Sequence, residues 1–391
     1  MQKIKVTFCM YQIVTGGIEK CLIRILDKMY KQPEYEFQVM VKRPVIDKVF
    51  LDFFTERNIK LITLPDVYGI IGKKPKNFIR RKIWKIKRLI YSWKQKPYIK
   101  KYLLTSDIIV DYFNCSFWAE IRNINKPKIG WYHSGFDIYN DEIEKNNRRY
   151  FGCYDKFVVL TETFRRDLLK SAEQYAHKIV QIYNPLSLSD ILNASQTACS
   201  PASHEKYFVF MGRMHCDKDH LTVIKAFANF SKHHPEAKMY FIGDGEKRSE
   251  YEQMVCDSHL EGKIIFTGIL ENPFGYIKNA MANILSSPSE GLGNVLIEAA
   301  ALHTLNIASD CPSGPAEILL NGKAGLLFPI GDNEKLSQLM NDVWENKIDS
   351  QSLIKAGYDN LHRFCSDTII RQVDSLLQET VALQNTEKGQ R

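Results

Sequence analysis

The sequence predicts an α/β protein built from two parallel-sheet domains, and three observations predict it. At 391 residues the chain exceeds the usual size of one hydrophobic core. Short apolar runs alternate with helical patterns from end to end, the pattern of parallel strands joined by crossover helices. The alternation stops at Asn184-Pro185 and restarts at "YFVFMGR" from Tyr207. Residues 1–183 and 206–362 therefore read as the two domains, 184–205 as a linker and 363–391 as a closing helix able to cross back onto the first domain.

In the first domain, strands are expected near Lys3–Cys9, Phe37–Val41, Leu61–Leu64, Asp107–Tyr112, Lys128–Tyr132, Lys156–Leu160 and Ile179–Tyr183. The stretch "LSLSDILNASQTACSPASHEK" is rich in Ser and Ala, shows no sustained period and reads as linker. The second domain follows with "YFVFMGR" and strands near Met239–Ile242, Ile264–Thr267, Ala282–Ser286, Asn306–Ala308 and Gly325–Phe328. Ligands of such sheets sit outside the C-terminal ends of the strands.

With 45% hydrophobic and 25% charged residues the composition is globular. No apolar run approaches the roughly 18 residues of a spanning helix, and the polar-interrupted start "MQKIKVTFCMYQIV" reads as a first strand, not a signal peptide. Nine scattered cysteines without a Cys-x-x-Cys pair suggest neither a disulfide framework nor a zinc knuckle. A cytoplasmic protein with reduced thiols is expected.

The net charge of +8 is concentrated in one place: between Asp66 and Asp107 lie 13 Lys or Arg and no acid, leaving 40 basic residues against 45 acidic ones elsewhere. Here "NFIRRKIWKIKRLIYSWK" sets Ile79, Ile83, Ile86, Ile90 and Trp93 in one helical stripe among Arg80, Arg81, Lys82, Lys85, Lys87 and Arg88. Three readings stay open: a solvated helix packing its stripe on its own domain, a helix at an anionic membrane surface, or a nucleic-acid patch. The third lacks any accompanying recognition module, so no nucleic-acid partner is expected.

Two loops carry candidate chemistry. "GRMHCDKDHLTVIKAF" (212–227) crowds His215, Cys216, Asp217, Asp219 and His220 around Arg213 and Lys218, between a strand and a helix. Neighbouring side chains in a tight loop mostly diverge, which argues against a metal. A helix N-terminus with an Arg fork and a Lys point charge suits an anion, and the two histidines then read as loop-surface or cap residues. In "SSPSEGLGNVLIEAAALHTLNIA", Gly291 and Gly293 allow close backbone approach to a ligand, Asn294 is a plausible cap, and Glu298 sits one turn into an apolar helix. A carboxylate there wants a hydrogen-bond partner; a first-turn Glu answering the helix dipole is the plainer reading.

Taken together, Arg213 and Lys218 after a Gly-ending strand, "SEGLGNVLIEA", "SDCPSGPAEIL" and "GLLFPIGD" resemble the nucleotide-sugar domain of retaining glycosyltransferases of family four. The resemblance covers nearly all of Tyr207–Asp332 and implies the GT-B fold, two facing Rossmann-like domains. It implies that Arg213 and Lys218, following Gly212, hold the donor diphosphate. Glu290 and the amides of Gly291, Leu292, Gly293 and Asn294 would face sugar and phosphate, and Glu298 would take the ribose. From the first domain, Gly16 and Gly17 in "YQIVTGGIEK" and His133 in "GWYHSGFD" would close the site. One departure stands out, for Asp219 follows the lysine where the family more often has Gly or Asn. The implied activity is retaining transfer of a sugar from a nucleoside-diphosphate sugar, with UDP-sugar the favoured class, to a glycan or lipid-linked acceptor of cell-surface polysaccharide synthesis. No cofactor or metal is expected, and the place of action is the cytoplasm or the inner face of the membrane.

Rival readings are a hydrolase using Glu290 and Glu298 as its carboxylate pair, a sugar-nucleotide epimerase on the same fold, and a non-catalytic binding protein seated on a membrane. Eight helical positions would separate the two carboxylates by roughly 12 Å, too far for a retaining pair.

Overall fold

The computed structural model describes residues 3–14, 16–65, 75, 77–134, 151–198, 200–201 and 205–389. The side chains of Arg88, Ser92 and 384–389 lie outside what is described, as does Cys199. Within this range there are thirteen strands: β1 Ile4–Met10, β2 Tyr35–Val41, β3 Lys60–Thr63, β4 Ile108–Asp111, β5 Lys128–Tyr132, β6 Lys156–Val159, β7 Ile179–Gln181, β8 Tyr207–Met211, β9 Lys238–Ile242, β10 Ile264–Gly268, β11 Ala282–Leu285, β12 Asn306–Ser309 and β13 Leu326–Phe328. They form a seven-stranded sheet ordered β3-β2-β1-β4-β5-β6-β7 and a six-stranded sheet ordered β10-β9-β8-β11-β12-β13. Every named strand pair is parallel. This is the two-domain GT-B architecture that the resemblance implied.

Strands such as β1 (IKVTFCM) and β4 (IIVD) are apolar nearly throughout because helices cover both faces of each sheet. The helix Gly17–Met29 illustrates the covering layer: Cys21, Leu22, Ile25, Leu26 and Met29 recur at helical spacing and are buried. In each sheet the order reverses direction beside the first strand, β1 next to β4 and β8 next to β11. Such a reversal opens a crevice at the strands' C-terminal ends.

The stretch read as linker contains a helix, Leu188–Thr197. Its apolar face is short, Ile191 plus the small Ser195, which is why composition concealed it; it packs on the helices Phe274–Lys278 and Asn294–Ala301. The last helix, Ser366–Gly389, crosses back to the first sheet. Ile369, Val373, Leu376 and Leu377 are buried, Tyr35 donates its hydroxyl to Asp374 at 2.5 Å, and Lys156 pairs with Glu379 at 3.4 Å. The chain thus passes between the domains twice, and the two passages run side by side: Leu186 N–H donates to Phe364 O at 2.7 Å and Ser366 N–H to Leu186 O at 3.1 Å.

The basic segment forms one helix, Phe78–Leu103, capped by Asn77, whose side chain accepts from the amides of Ile79 and Arg80. Ile99 and Leu103 join the first-domain core and Trp84 is buried. The stripe of Ile79, Ile83, Ile86, Ile90 and Trp93 is not packed on its own domain, since each of these residues is 47–71% exposed. Among the described residues no helix is long and apolar enough to cross a membrane.

Candidate functional site

The loop after β8 is shaped by its glycines and by one left-handed residue. Gly212 N–H donates to Ile242 O, and the neighbouring Gly243 (φ +135°) lies so close to the Gly212 carbonyl that an added Cβ would sit 2.2 Å from it. A single 3-10 turn, Cys216–Lys218, follows, capped by His215. Asp219 then adopts φ 47° and ψ 52° and caps the helix His220–Phe230, accepting from Thr222 N–H at 3.3 Å. This accounts for the departure at position 219: the backbone is in the region where Gly and Asn are at home, and Asp also tolerates it while adding a cap. Ser286 Oγ donates to the carbonyls of Lys218 and Asp219 at 3.0 and 2.8 Å, pinning the loop to the end of β11.

The structure brings Lys218 and Glu290 together as a direct ion pair, with Ser287 Oγ donating to the same carboxylate at 2.7 Å. Arg213 projects from the loop, 65% exposed, and pairs with Asp217 at 3.0 Å. The Asp217 carboxyl, despite partial burial, is held below its ordinary range by His215, Lys218 and Arg213. His215 also faces Glu246 at 3.3 Å. His220 is neither at the surface nor a cap: it is fully buried, stacked on Tyr251 and against Phe210 and Phe241. Among the described residues no group of three or more His, Cys, Asp and Glu side chains is arranged to hold a metal ion.

After β11, Glu290, Gly291, Leu292 and Gly293 lead into the helix Asn294–Ala301. The N-cap is Gly293 at φ 92°, not Asn294, because the left-handed turn falls one residue earlier and favours glycine. Asn294 instead reaches across the cleft, accepting from Asn184 Nδ2 at 3.0 Å and approaching Cys21 Sγ at 3.6 Å. Glu298 is almost wholly buried; burial raises its pKa, and Arg24 of the first domain, 3.8 Å away, opposes that rise together with Lys20. Glu290 and Glu298 thus have separate partners, on different elements.

The first-domain residues meet this loop directly. A Cβ on Gly291 would fall 1.8 Å from His133 O, so the two backbones touch, and Gly17 lies against the Asn294 side chain. The Glu19 carboxylate folds back over Gly16 at the N-terminus of the helix Gly17–Met29. Burial pushes its pKa up to about 6, against backbone hydrogen bonds at Glu19 and Val14 and the nearby Arg213 charge. His133 follows β5 and is 8% exposed. Its ring packs 4.6 Å from Tyr112 and stacks over Trp131, and burial lowers its pKa to about 3, so it is neutral. Both His133 ring nitrogens, the Tyr112 hydroxyl and the Trp131 Nε1–H have no hydrogen-bond partner among the described residues. Buried polar atoms rarely stay unpaired.

Sequence reasoning missed four residues that hold this arrangement. Asn114, left-handed at φ 46°, accepts from His133 N–H at 2.6 Å and donates to Ser134 Oγ at 2.9 Å. Asp111, fully buried with its pKa raised to about 7 by burial, accepts from Phe117 N–H and the Tyr154 hydroxyl, and so closes the turn that carries Asn114. Arg24 joins Glu298 to Pro185 O, which it reaches at 3.3 Å. Glu317, in "PSGPAEIL", accepts from Glu162 N–H (3.0 Å), Thr163 N–H (2.8 Å), Thr163 Oγ1 (2.9 Å) and the Tyr183 hydroxyl (2.5 Å), fastening the second domain to a first-domain helix start. Arg24 and Glu317 have their partners over a hundred residues away, and Asn114 and Asp111 act from a turn of unusual dihedrals on residues of neighbouring elements; neither situation leaves a periodic signal.

The chain is similar in sequence and fold to known proteins. Residues 198–360 match the family model for glycosyl transferases group 1. The chain is 24% identical over 365 residues to an uncharacterised glycosyltransferase of Methanocaldococcus jannaschii, covering 85% of this chain and 86% of the relative. It is 23% identical over 282 residues to the lipopolysaccharide 1,6-galactosyltransferase of Escherichia coli, covering 68% and 75% respectively. The fold superposes on HepE of Anabaena, crystallised with UDP and glucose, with a TM-score of 0.75 at 16% identity, over 96% of this chain and 100% of that one.

Proposed function

We propose, for a glycosyltransferase whose residues 198–360 belong to glycosyl transferases group 1 and whose two sheets form a GT-B frame, that it moves a sugar with retention of configuration from a nucleoside-diphosphate sugar. UDP-sugar is the favoured donor and a glycan or lipid-linked saccharide of the cell surface the acceptor. The observation that carries the reading is the junction of Lys218, Glu290 and the Gly293-capped helix at the C-terminal ends of β8 and β11, facing His133 across the cleft.

In this reading the bond from the anomeric carbon to the diphosphate oxygen breaks as positive charge grows on the sugar. The charge that must be stabilised is on the departing diphosphate. The Lys218 ammonium has three N–H donors and gives one to Glu290; the Arg213 guanidinium has five and shares one with Asp217. Both retain donors for phosphate oxygens, joined by the first amides of the helix Asn294–Ala301. The acceptor hydroxyl attacks the same face and its proton passes to the leaving phosphate oxygen. These side chains supply the neutralising charge, so the step as written uses no metal or cofactor. Sugar hydroxyls are suitable partners for His133 and Tyr112, and the ribose diol for Glu298.

The relatives' association with lipopolysaccharide supports a surface-glycan acceptor and a place at the inner face of the membrane. The distinct partners of Glu290 and Glu298 speak against a hydrolytic carboxylate pair. The test is to incubate the protein with a panel of UDP-, GDP- and ADP-sugars and acceptor saccharides, reading nucleoside-diphosphate release and the anomeric configuration of the product. Removing one fixed donor to the leaving group typically costs about 100- to 1000-fold in rate, and Arg213→Ala should do so with an unchanged unfolding transition. Near-normal transfer by that variant, or an inverted product, would overturn the assignment.

A further inference from the structure

The helix Phe78–Leu103 has its two apolar sides the wrong way round for a helix that is merely solvated. At about 100° per residue, Ile79, Ile83, Ile86, Leu89, Ile90 and Trp93 fall within an arc of roughly 120°. Every one of them is exposed, from 47% for Ile90 to 71% for Leu89 and Trp93. Trp84, roughly 160° from the centre of that arc, is the residue turned to the protein, at 6% exposure. The apolar face therefore points outward, along most of a helix roughly 39 Å long. Exposed Lys87 and Lys94 border it on one side and exposed Lys85 and Lys96 on the other.

Those borders decide what covers the face. The helix carries ten Lys or Arg and no acid. A second copy of this chain would bring the same uncompensated charge against it, and a nucleic acid would leave six apolar side chains without a partner. A bilayer carrying anionic lipid satisfies both features, taking the apolar arc among its acyl chains and the flanking ammonium groups among its phosphates. We propose that this helix is the surface on which the enzyme sits on an anionic membrane, lying flat with Ile83, Ile86 and Trp93 inserted. This deepens the membrane placement proposed above and is independent of the donor chemistry.

Trp93 makes the proposal directly readable. The chain has five tryptophans, and Trp84, Trp118, Trp131 and Trp344 are 2–8% exposed. Full-length protein is mixed with vesicles containing 30% phosphatidylglycerol, with pure phosphatidylcholine vesicles, and with vesicles brominated in the acyl chains. Expected are flotation with the anionic vesicles that weakens with salt, and bromine quenching of the exposed tryptophan that vanishes in Trp93→Phe. The double variant Ile86→Glu/Trp93→Glu should lose at least tenfold in vesicle-bound fraction while binding UDP as the parent does. Equal flotation of parent and double variant overturns the proposal. So does salt-insensitive binding to neutral vesicles, or a dimer in light scattering that the double variant dissolves. If UDP binding fails in both proteins while flotation behaves as expected, the donor assignment falls and the membrane surface stands.

Discussion

Substituting Gly291 by Ala tests the closed cleft with one methyl group. The new Cβ would lie 1.8 Å from His133 O and 2.7 Å from His133 C. Real contacts of this kind stay beyond roughly 3 Å, so the loop or the strand end must retreat by at least about 1 Å, and His133, one residue past β5 with its N–H bonded to Asn114 Oδ1, resists that movement. Each domain has a buried cluster of its own beside the one they share, so the expected loss of stability is no more than the roughly 1–3 kcal/mol of ordinary overpacking. Catalysis is more sensitive, since a misplacement of about 1 Å between reacting groups can lower a rate by about 100-fold. Gly291→Ala should therefore keep a cooperative unfolding transition and lose about two orders of magnitude in kcat/KM for sugar transfer. Gly17→Ala is the matched control: its Cβ would stand 3.4 Å from Asn294 Nδ2, an ordinary van der Waals contact, and the rate should fall by less than about fivefold. If Gly291→Ala transferred sugar within threefold of the parent, contact between these two backbones could not be a feature of the working enzyme.

Three further perturbations have worked outcomes. Glu317→Ala removes the acceptor of four cross-domain hydrogen bonds; with charge-assisted bonds worth about 1.5–3 kcal/mol each and water replacing part of the loss, denaturant unfolding should show about 2–4 kcal/mol less stability, and a change under about 0.5 kcal/mol would discount the clasp. Arg24→Ala leaves the buried Glu298 carboxylate without its ion pair, so UDP affinity by calorimetry should drop about tenfold, the size of a 1.4 kcal/mol loss, with Arg24→Lys recovering part of it; unchanged affinity would separate Glu298 from donor binding. His220, whose pKa burial lowers to about 4, with Asp217 raising it and Lys218 lowering it more weakly, contributes stability that is full above the unfolded value near 6.5 and lost as pH falls through it; between pH 7 and pH 5 the parent should lose on the order of 2 kcal/mol relative to His220→Phe, and parallel curves would remove the titration from the account.

Legibility in the sequence followed burial and periodicity. Strands such as "YFVFM" and "ANIL" stood out because a parallel sheet covered on both faces leaves an unbroken apolar run. The helix Leu188–Thr197 did not, since a face made of Ile191 and small residues has little contrast with its surroundings. The loops around Arg213 and Glu290 were legible because a strand end, a glycine and a helix start occur in a fixed local order, and the structure joins the two loops through Lys218. Arg24, Asn114 and Glu317 were not, because each acts on a partner that only the docking of the elements supplies. The stripe on the basic helix is an intermediate case. Its period shows that a face exists, but not which way the face points, and burial of Trp84 on the opposite side supplied the answer.

The charges of the cleft are matched in pairs: Lys218 with Glu290 between two loops of one domain, Arg24 with Glu298 between domains, and Arg213 with Asp217 inside one turn. The first two pairs keep each ion near a partner in the crevice, where an isolated charge would cost several kcal/mol, whereas Arg213 is exposed to solvent. In the proposed reaction a diphosphate adds two or more negative charges to this set. The cations still have unused donors, whereas Glu290 is fixed by Lys218 and Ser287 and by Ser313 Oγ on its backbone carbonyl. In the proposed reaction Glu290 holds the Lys218 ammonium at the junction of the two loops before the anion arrives. Preorganisation of that kind lets stabilisation grow with charge on the leaving group without new reorganisation in the transition state. The cross-domain pair of the set ties it to closure, because Glu298 keeps its Arg24 partner only while the two domains are in contact.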